Sequence, residues 1–175
     1  QGGIDFDTSE VRWVLDENKL PVRATVKRRS DATGLVEECM LAANRTVTEH
    51  IVNISKAWKQ KRTVPFMYRI HDDPDVEKLQ AAFTYVRTLG VKLPAKKPTS
   101  KDINALLENL RERPEASVVN QVLLRSMAKA RYSGQNVGHY GLGFENYSHF
   151  TSPIRRYPDV IVHRLLKEYA LDKPS

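Results

Sequence analysis

Arg155 and Arg156 follow closely on Ser152 in the stretch Ser148-His149-Phe150-Thr151-Ser152-Pro153-Ile154-Arg155-Arg156-Tyr157-Pro158-Asp159. Ser152 carries the side chain of a good N-cap, and Pro153 suits the first helical position. The arginines then fall at a helix start, where backbone N–H groups are unpaired and the macrodipole is positive. That end of a helix disfavours a cation and favours an anion. Two guanidiniums beside it describe a phosphate site, because arginine grips phosphate with a two-pronged fork. The same residues have a second reading. Arg155 pairs with Asp159 four residues on, and both arginines sit on a solvated face.

Other residues could also do chemistry. Asp5 and Asp7 flank Phe6, and carboxylates at i and i+2 of a strand share a face. A divalent cation is conceivable there, and an exposed acid pair is the plainer reading. Glu37 and Glu38 stand where a long helix is expected to open, and carboxylates complement the dipole at that end. Ser152 and His149 are close enough in sequence to suggest a nucleophile and base. No third orienting group or oxyanion loop accompanies them, so that pair is set aside. His71, alone before a turn, reads as structural. Gly134, Gly138, Gly141 and Gly143 lack the lysine and the strand–helix context of a nucleotide loop, and read as turns and close approaches.

The elements that must position these groups follow from periodicity. Val11, Trp13 and Leu15, then Val22, Ala24 and Val26, alternate with polar partners around Asp16-Glu17-Asn18-Lys19, which predicts a hairpin. From Leu35 to Trp58, Val36, Met40, Ala43, Val47, Ile51, Ile54 and Trp58 recur at spacings of four and three, which predicts a long helix with that stripe in the core. Asn44 lies two turns beyond Glu37 on the same side and offers a polar contact. Lys56 to Arg62 is a basic run. Val64 to His71 reads as extended. A helix is expected from Asp73-Pro74 to Leu89, closed by Gly90. Leu93 to Thr99 reads as a linker. Thr99 and Asp102 form a capping box for a helix to Arg111. A further helix from Glu115 to about Ala130 should bury Val118, Val122 and Leu123. A last helix should run to Leu171 and bury Ile161, Val162, Leu165, Leu166 and Tyr169, with Pro158 either kinking or starting it. The fold class is α+β, mainly helical, with an N-terminal β-hairpin and a few short strands.

At 175 residues, 41% of them hydrophobic, the chain suits one domain with a real core. The net charge of +7 points to a polyanionic partner. A single cysteine, Cys39, excludes an intrachain disulfide and a cysteine-built zinc cluster, and fits a reduced cytoplasmic compartment. No apolar run approaches a membrane span.

HFTSPIRRYPD followed by Val162-His163-Arg164 resembles the signature of the ribonuclease II and ribonuclease R family of hydrolytic 3′-to-5′ exoribonucleases. VEECMLAAN, YRIH and VGHYGL are similar to further family stretches, so the resemblance runs from Ile4 to about Tyr169. It implies the later, incomplete part of an RNB-type catalytic domain spanning 1–175. By that likeness Arg155 contacts the scissile phosphate, Phe6 of IDFD packs against the terminal base, and Glu37 touches the 3′-terminal nucleotide. His149, Ser152 and Arg156 lie along the RNA backbone. Magnesium is expected from an aspartate cluster upstream of this chain, with a further carboxylate beyond Ser175, so no metal ligand is assigned here. Cold-shock and S1 domains are expected outside the chain.

The implied whole is a monomeric, cytoplasmic, processive enzyme. It acts on single-stranded RNA, releases nucleoside 5′-monophosphates, and has neither membrane nor DNA as partner. The fragment alone is expected to be inactive. A non-catalytic RNA-binding module and a basic interaction domain are the alternatives.

Overall fold

A computed structural model describes residues 3–6, 10–27, 30–57, 64–93 and 98–171. The hairpin forms as expected from β1 (Glu10–Leu15) and β2 (Pro21–Lys27), antiparallel with Trp13 opposite Ala24. Its turn is fixed locally. The Asp16 carboxylate accepts from the Asn18 and Leu20 amides at 2.9 and 2.8 Å, and Lys19 takes a φ of 62°. Both faces of the ribbon are open. Trp13 is 64% exposed, and Val11, Leu15, Val22 and Val26 are exposed with it.

Helix α1 (Asp31–Ala57) starts earlier than its apolar periodicity predicts. Ser30 and Thr33 trade backbone and hydroxyl hydrogen bonds at its mouth, at 3.0 and 3.3 Å. Asp31 therefore occupies the first turn, and Glu37 and Glu38 do not open the helix. The expected stripe is core only in part. Val36 is 57% exposed, and burial begins at Asn44, Thr48 and Ile51. Only that later half meets β3 (Tyr68–Ile70) and α5 (Tyr157–Leu171), where Ile51, Phe66, Tyr68, Ile70, Val162 and Tyr169 form one apolar cluster. Trp58, most of the basic run and part of the Leu93–Thr99 linker lie outside the described residues.

A second cluster is purely helical. It packs α2 (Val76–Thr88), α3 (Ser100–Leu110) and α4 (Ala116–Ser126) around Val86, Ile103, Val119 and Leu123. Asp75 caps α2 through the Glu77 and Lys78 amides, and Gly90 follows it at a φ of 74°. The Thr99–Asp102 capping box is present. Helix α4 differs from expectation in register and length. Val119 and Leu123 face inward, while Val118 is exposed. It ends at Ser126 because Met127 turns extended, and the chain goes on to form β4 (Arg131–Ser133) against β3. The fold class is as the sequence predicts: α+β, dominated by helices, with short strands.

Candidate nucleic-acid interface

The segment from Tyr147 to Asp159 is threaded between α1, β3 and α5 and held by polar atoms. Asn44 is its central tie. It is 3% exposed, donates to the Tyr147 hydroxyl at 3.0 Å, and accepts from the Phe150 and Thr151 amides at 2.9 and 3.2 Å. Those bonds use both ends of the amide, so the side chain has one orientation. On the other side the Ser148 hydroxyl donates to the Met67 carbonyl, and the Arg69 amide donates to the Tyr147 carbonyl at 3.0 Å. The His163 ring stacks on Phe150 at 4.0 Å and bonds the Phe150 carbonyl through Nε2 at 2.9 Å.

The arginines do not sit in a helix that starts at Ser152. Residues 153–155 form a turn, in which the Arg155 and Arg156 amides both donate to the Ser152 carbonyl, at 3.2 and 3.1 Å. Pro158 lacks the N–H that would continue a helix through this turn, so α5 starts at Tyr157 with Pro158 inside its first turn. The pairing also differs from expectation. Asp159 bonds Arg156, not Arg155: its Oδ1 accepts from Arg156 Nη2 at 2.7 Å, Arg156 Nε at 3.2 Å and the Ser152 amide at 2.8 Å. Asp159 is fully buried. Arg156 thus locks the turn. Arg155 is exposed, with its Nη2 only 3.5 Å from the Ser152 hydroxyl.

Glu37, Ser152, Arg155 and Arg156 converge on one cleft of about 290 Å³, lined also by Met40, Leu41, Asn44, Tyr147 and Thr151. Four of the six residues that the sequence nominates are therefore brought together. His149 stands beside the cleft. Its Nδ1 is 2.7 Å from the Tyr132 hydroxyl, and its ring meets Tyr147 edge-on at 5.9 Å. Burial, then Arg156 and Arg69, pull its pKa from 6.5 down to about 4, so it is uncharged at neutral pH. His139 is likewise pulled to about 4, by burial and then by His71. Phe6 is elsewhere. It packs half-buried against the α2–α4 cluster, as Tyr140 does, and Ile4 two residues before it donates to the Gly141 carbonyl at 2.7 Å.

His71 is structural, as expected. Its Nε2 bonds the Ala128 carbonyl at 2.7 Å, and its Nδ1 accepts from the Gly141 amide at 2.8 Å. A Cβ on Gly141 would stand 2.8 Å from that Nδ1, which explains the glycine. Sequence reasoning offered Asn44 as a contact and Asp159 as a partner for Arg155. The structure makes both of them fasteners. The available signal was an amide inside an otherwise apolar helical stripe.

A magnesium site needs several oxygen donors aimed at one point. Among the described residues, no group of three or more His, Cys, Asp or Glu could hold an ion. Asp159 has spent Oδ1 on Arg156 and the Ser152 amide, and Asp5 faces Arg111 at 3.5 Å. Asp7 lies outside the described residues. The described residues therefore do not by themselves make a magnesium site, even though Asp159 Oδ2 is buried without a partner among them.

Residues 1–172 match the RNB domain family. Ribonuclease R 1 of Lactococcus lactis is 40% identical over 170 residues, which is 96% of this chain and 20% of that protein. The chain thus spans about a fifth of the relative's length. The structure of Mycoplasma genitalium RNase R in complex with ribose-methylated single-stranded RNA superposes with a TM-score of 0.84 at 32% identity, covering 95% of this chain and 25% of the other. Yeast Ssd1, described as a pseudonuclease, matches with a TM-score of 0.69 at 25% identity, covering 85% of this chain and 18% of that one.

Proposed function

The chain belongs to the RNB domain family, and from that premise we propose that it supplies the phosphate-binding and 3′-end-binding part of a hydrolytic 3′-to-5′ exoribonuclease acting on single-stranded RNA. One juxtaposition supports this most. An exposed arginine, Arg155, shares a cleft with Glu37, while its neighbour Arg156 is fastened by the buried Asp159. The cation left over is held on a rigid turn, which is what recognition of a reacting phosphate requires.

In this reading Arg155 offsets the charge that grows on the scissile phosphate. Such a contact is worth on the order of 10²–10³ in rate. Arg156 holds the turn, and Ser152 and His149 meet the RNA backbone with neutral polar atoms. Glu37 accepts from the terminal nucleotide. Phe6 stacks the terminal base from outside the cleft. Residues 1–175 are then the later portion of one catalytic domain, and the magnesium ligands belong to residues beyond it. The whole protein is proposed to work in the cytoplasm as a monomer, on RNA and not DNA, processively, with nucleoside 5′-monophosphates as products. No helix among the described residues is long and apolar enough to cross a membrane.

The test uses both the chain and the whole protein that carries it. The 175-residue chain should bind single-stranded RNA weakly, with affinity falling steeply as salt rises, and should release no mononucleotides even with magnesium. In the whole protein, Arg155→Ala should lower kcat far more than it raises the RNA Kd, and Arg155→Lys should restore only part, because the fork is lost. A loss confined to binding would make Arg155 a backbone contact only. The likeness to a pseudonuclease favours one second reading, a non-catalytic RNA-binding module. A whole protein that binds RNA but never shortens it would establish that reading.

A further inference from the structure

The β3–β4 ribbon carries a cation that the cleft does not use. Arg69 and Tyr132 are cross-strand partners, so their side chains share one face, while Tyr68 and Ile70 are buried on the other. The Arg69 guanidinium lies 4.7 Å over the centre of the Tyr132 ring. Arg69 is half-buried, and among the described residues it faces no carboxylate. The contrast with the next strand position is instructive. Arg131, opposite Ile70, pairs with Asp72 at 3.3 Å. Taking a guanidinium partly out of water without a counter-ion is costly, and a ring beneath it recovers only part of that cost.

The stack is not isolated from the cleft. The Tyr132 hydroxyl is tied to His149 at 2.7 Å, and His149 leans on Tyr147, which lines the cleft wall. A row of rings therefore joins Arg69 to the arginine turn. His149 adds no charge at neutral pH, so the row has a cation at each end and neutral rings between them. The chain's net charge of +7 gives the same sign to the wider surface. Tyr147 is buried and only links the row, so Tyr132 and His149 are the rings left partly open to a flat base, and the guanidiniums at either end suit phosphates.

We infer that Arg69, set on Tyr132, is a second phosphate-binding residue, which holds a phosphodiester of single-stranded RNA upstream of the nucleotide seated in the Arg155 cleft. This rests on the RNA-binding reading above and adds to it a direction for the strand, from β3–β4 towards the arginine turn.

Fluorescence anisotropy with a labelled dinucleotide and a longer oligouridylate separates the two ideas. Arg69→Ala should weaken the longer RNA roughly tenfold and leave the dinucleotide unchanged. Its plot of log affinity against log salt should be shallower by about 0.7, one phosphate for a single strand. Arg69→Lys should keep the slope and lose part of the affinity. Unchanged affinity and slope in an Arg69→Ala protein that melts like the parent would overturn the inference. Should both variants fail to fold, the Arg69 Nε–H resonance of the unaltered chain decides. It should shift as the longer RNA is added, and a resonance that stays put overturns the assignment. If the unaltered chain binds neither RNA, the RNA-binding reading itself fails and takes this inference with it.

Discussion

Around Val86, Ile103, Val119 and Leu123, three helices are held together by apolar side chains, with side-chain caps that open α2 and α3 locally. Around Asn44 and Asp159, the Tyr147–Asp159 segment is held by side-chain polar atoms that bond backbone amides, those of Asn44 reaching far along the chain and that of Asp159 back to Ser152. The two regions tolerate change differently. A packed cluster responds to volume and forgives a swap of similar shape. A buried polar tie responds to the identity of single atoms, because each orphaned donor or charge carries its full desolvation cost. The candidate site is built in the second manner. Arg156 ties its wall to the buried Asp159, while Arg155 is exposed and, among the described residues, makes only a 3.5 Å contact to the Ser152 hydroxyl.

The largest test of this contrast is Arg156→Ala. It leaves Asp159 buried without its cation and should cost about 3–5 kcal/mol. Urea unfolding measures this, and adding Asp159→Asn to the same protein should recover part of the loss. The next is a pair of near-isosteric swaps. Asn44→Leu orphans the Phe150 and Thr151 amides and should cost roughly 2–4 kcal/mol, with faster hydrogen exchange at those two amides. Leu123→Met in the helical cluster should cost less than about 1.5 kcal/mol. Equal losses would erase the distinction between the regions.

Acid should then act on the polar region first. His139 and His149 have folded pKa values near 4, below the 6.5 of the unfolded chain. Between those values the unfolded state binds more protons, so stability is complete above about pH 6.5 and is lost as pH falls towards 4. Melting temperature against pH, with the two ring resonances followed by NMR, checks the window. A ring that titrates near 6.5 in the folded chain would contradict the burial assigned to it. The smallest expected change is in Arg155→Ala. This residue is exposed and lacks a carboxylate partner among the described residues. Its loss should move stability by no more than about 0.5 kcal/mol while weakening RNA binding.

Much of the architecture was legible in the chain because its causes are local. The hairpin follows from alternation and Asp16, the α2 and α3 helices from periodicity and caps, and the close approach at Gly141 from its missing Cβ. The likeness of Ile4 to Tyr169 to the exoribonuclease family was also written in its motifs, above all HFTSPIRRYPD. Tertiary structure alone decided the rest, since these facts depend on what lies across the chain. Periodicity places Val36 and Ile51 on one stripe, but only Ile51 meets β3 and α5, so only it is core. Spacing allows Asp159 to reach either arginine. It takes Arg156 because α5 starts at Tyr157, after the 153–155 turn and with Pro158 in its first turn, which sets the carboxylate against Arg156 and the Ser152 amide and leaves Arg155 facing the cleft.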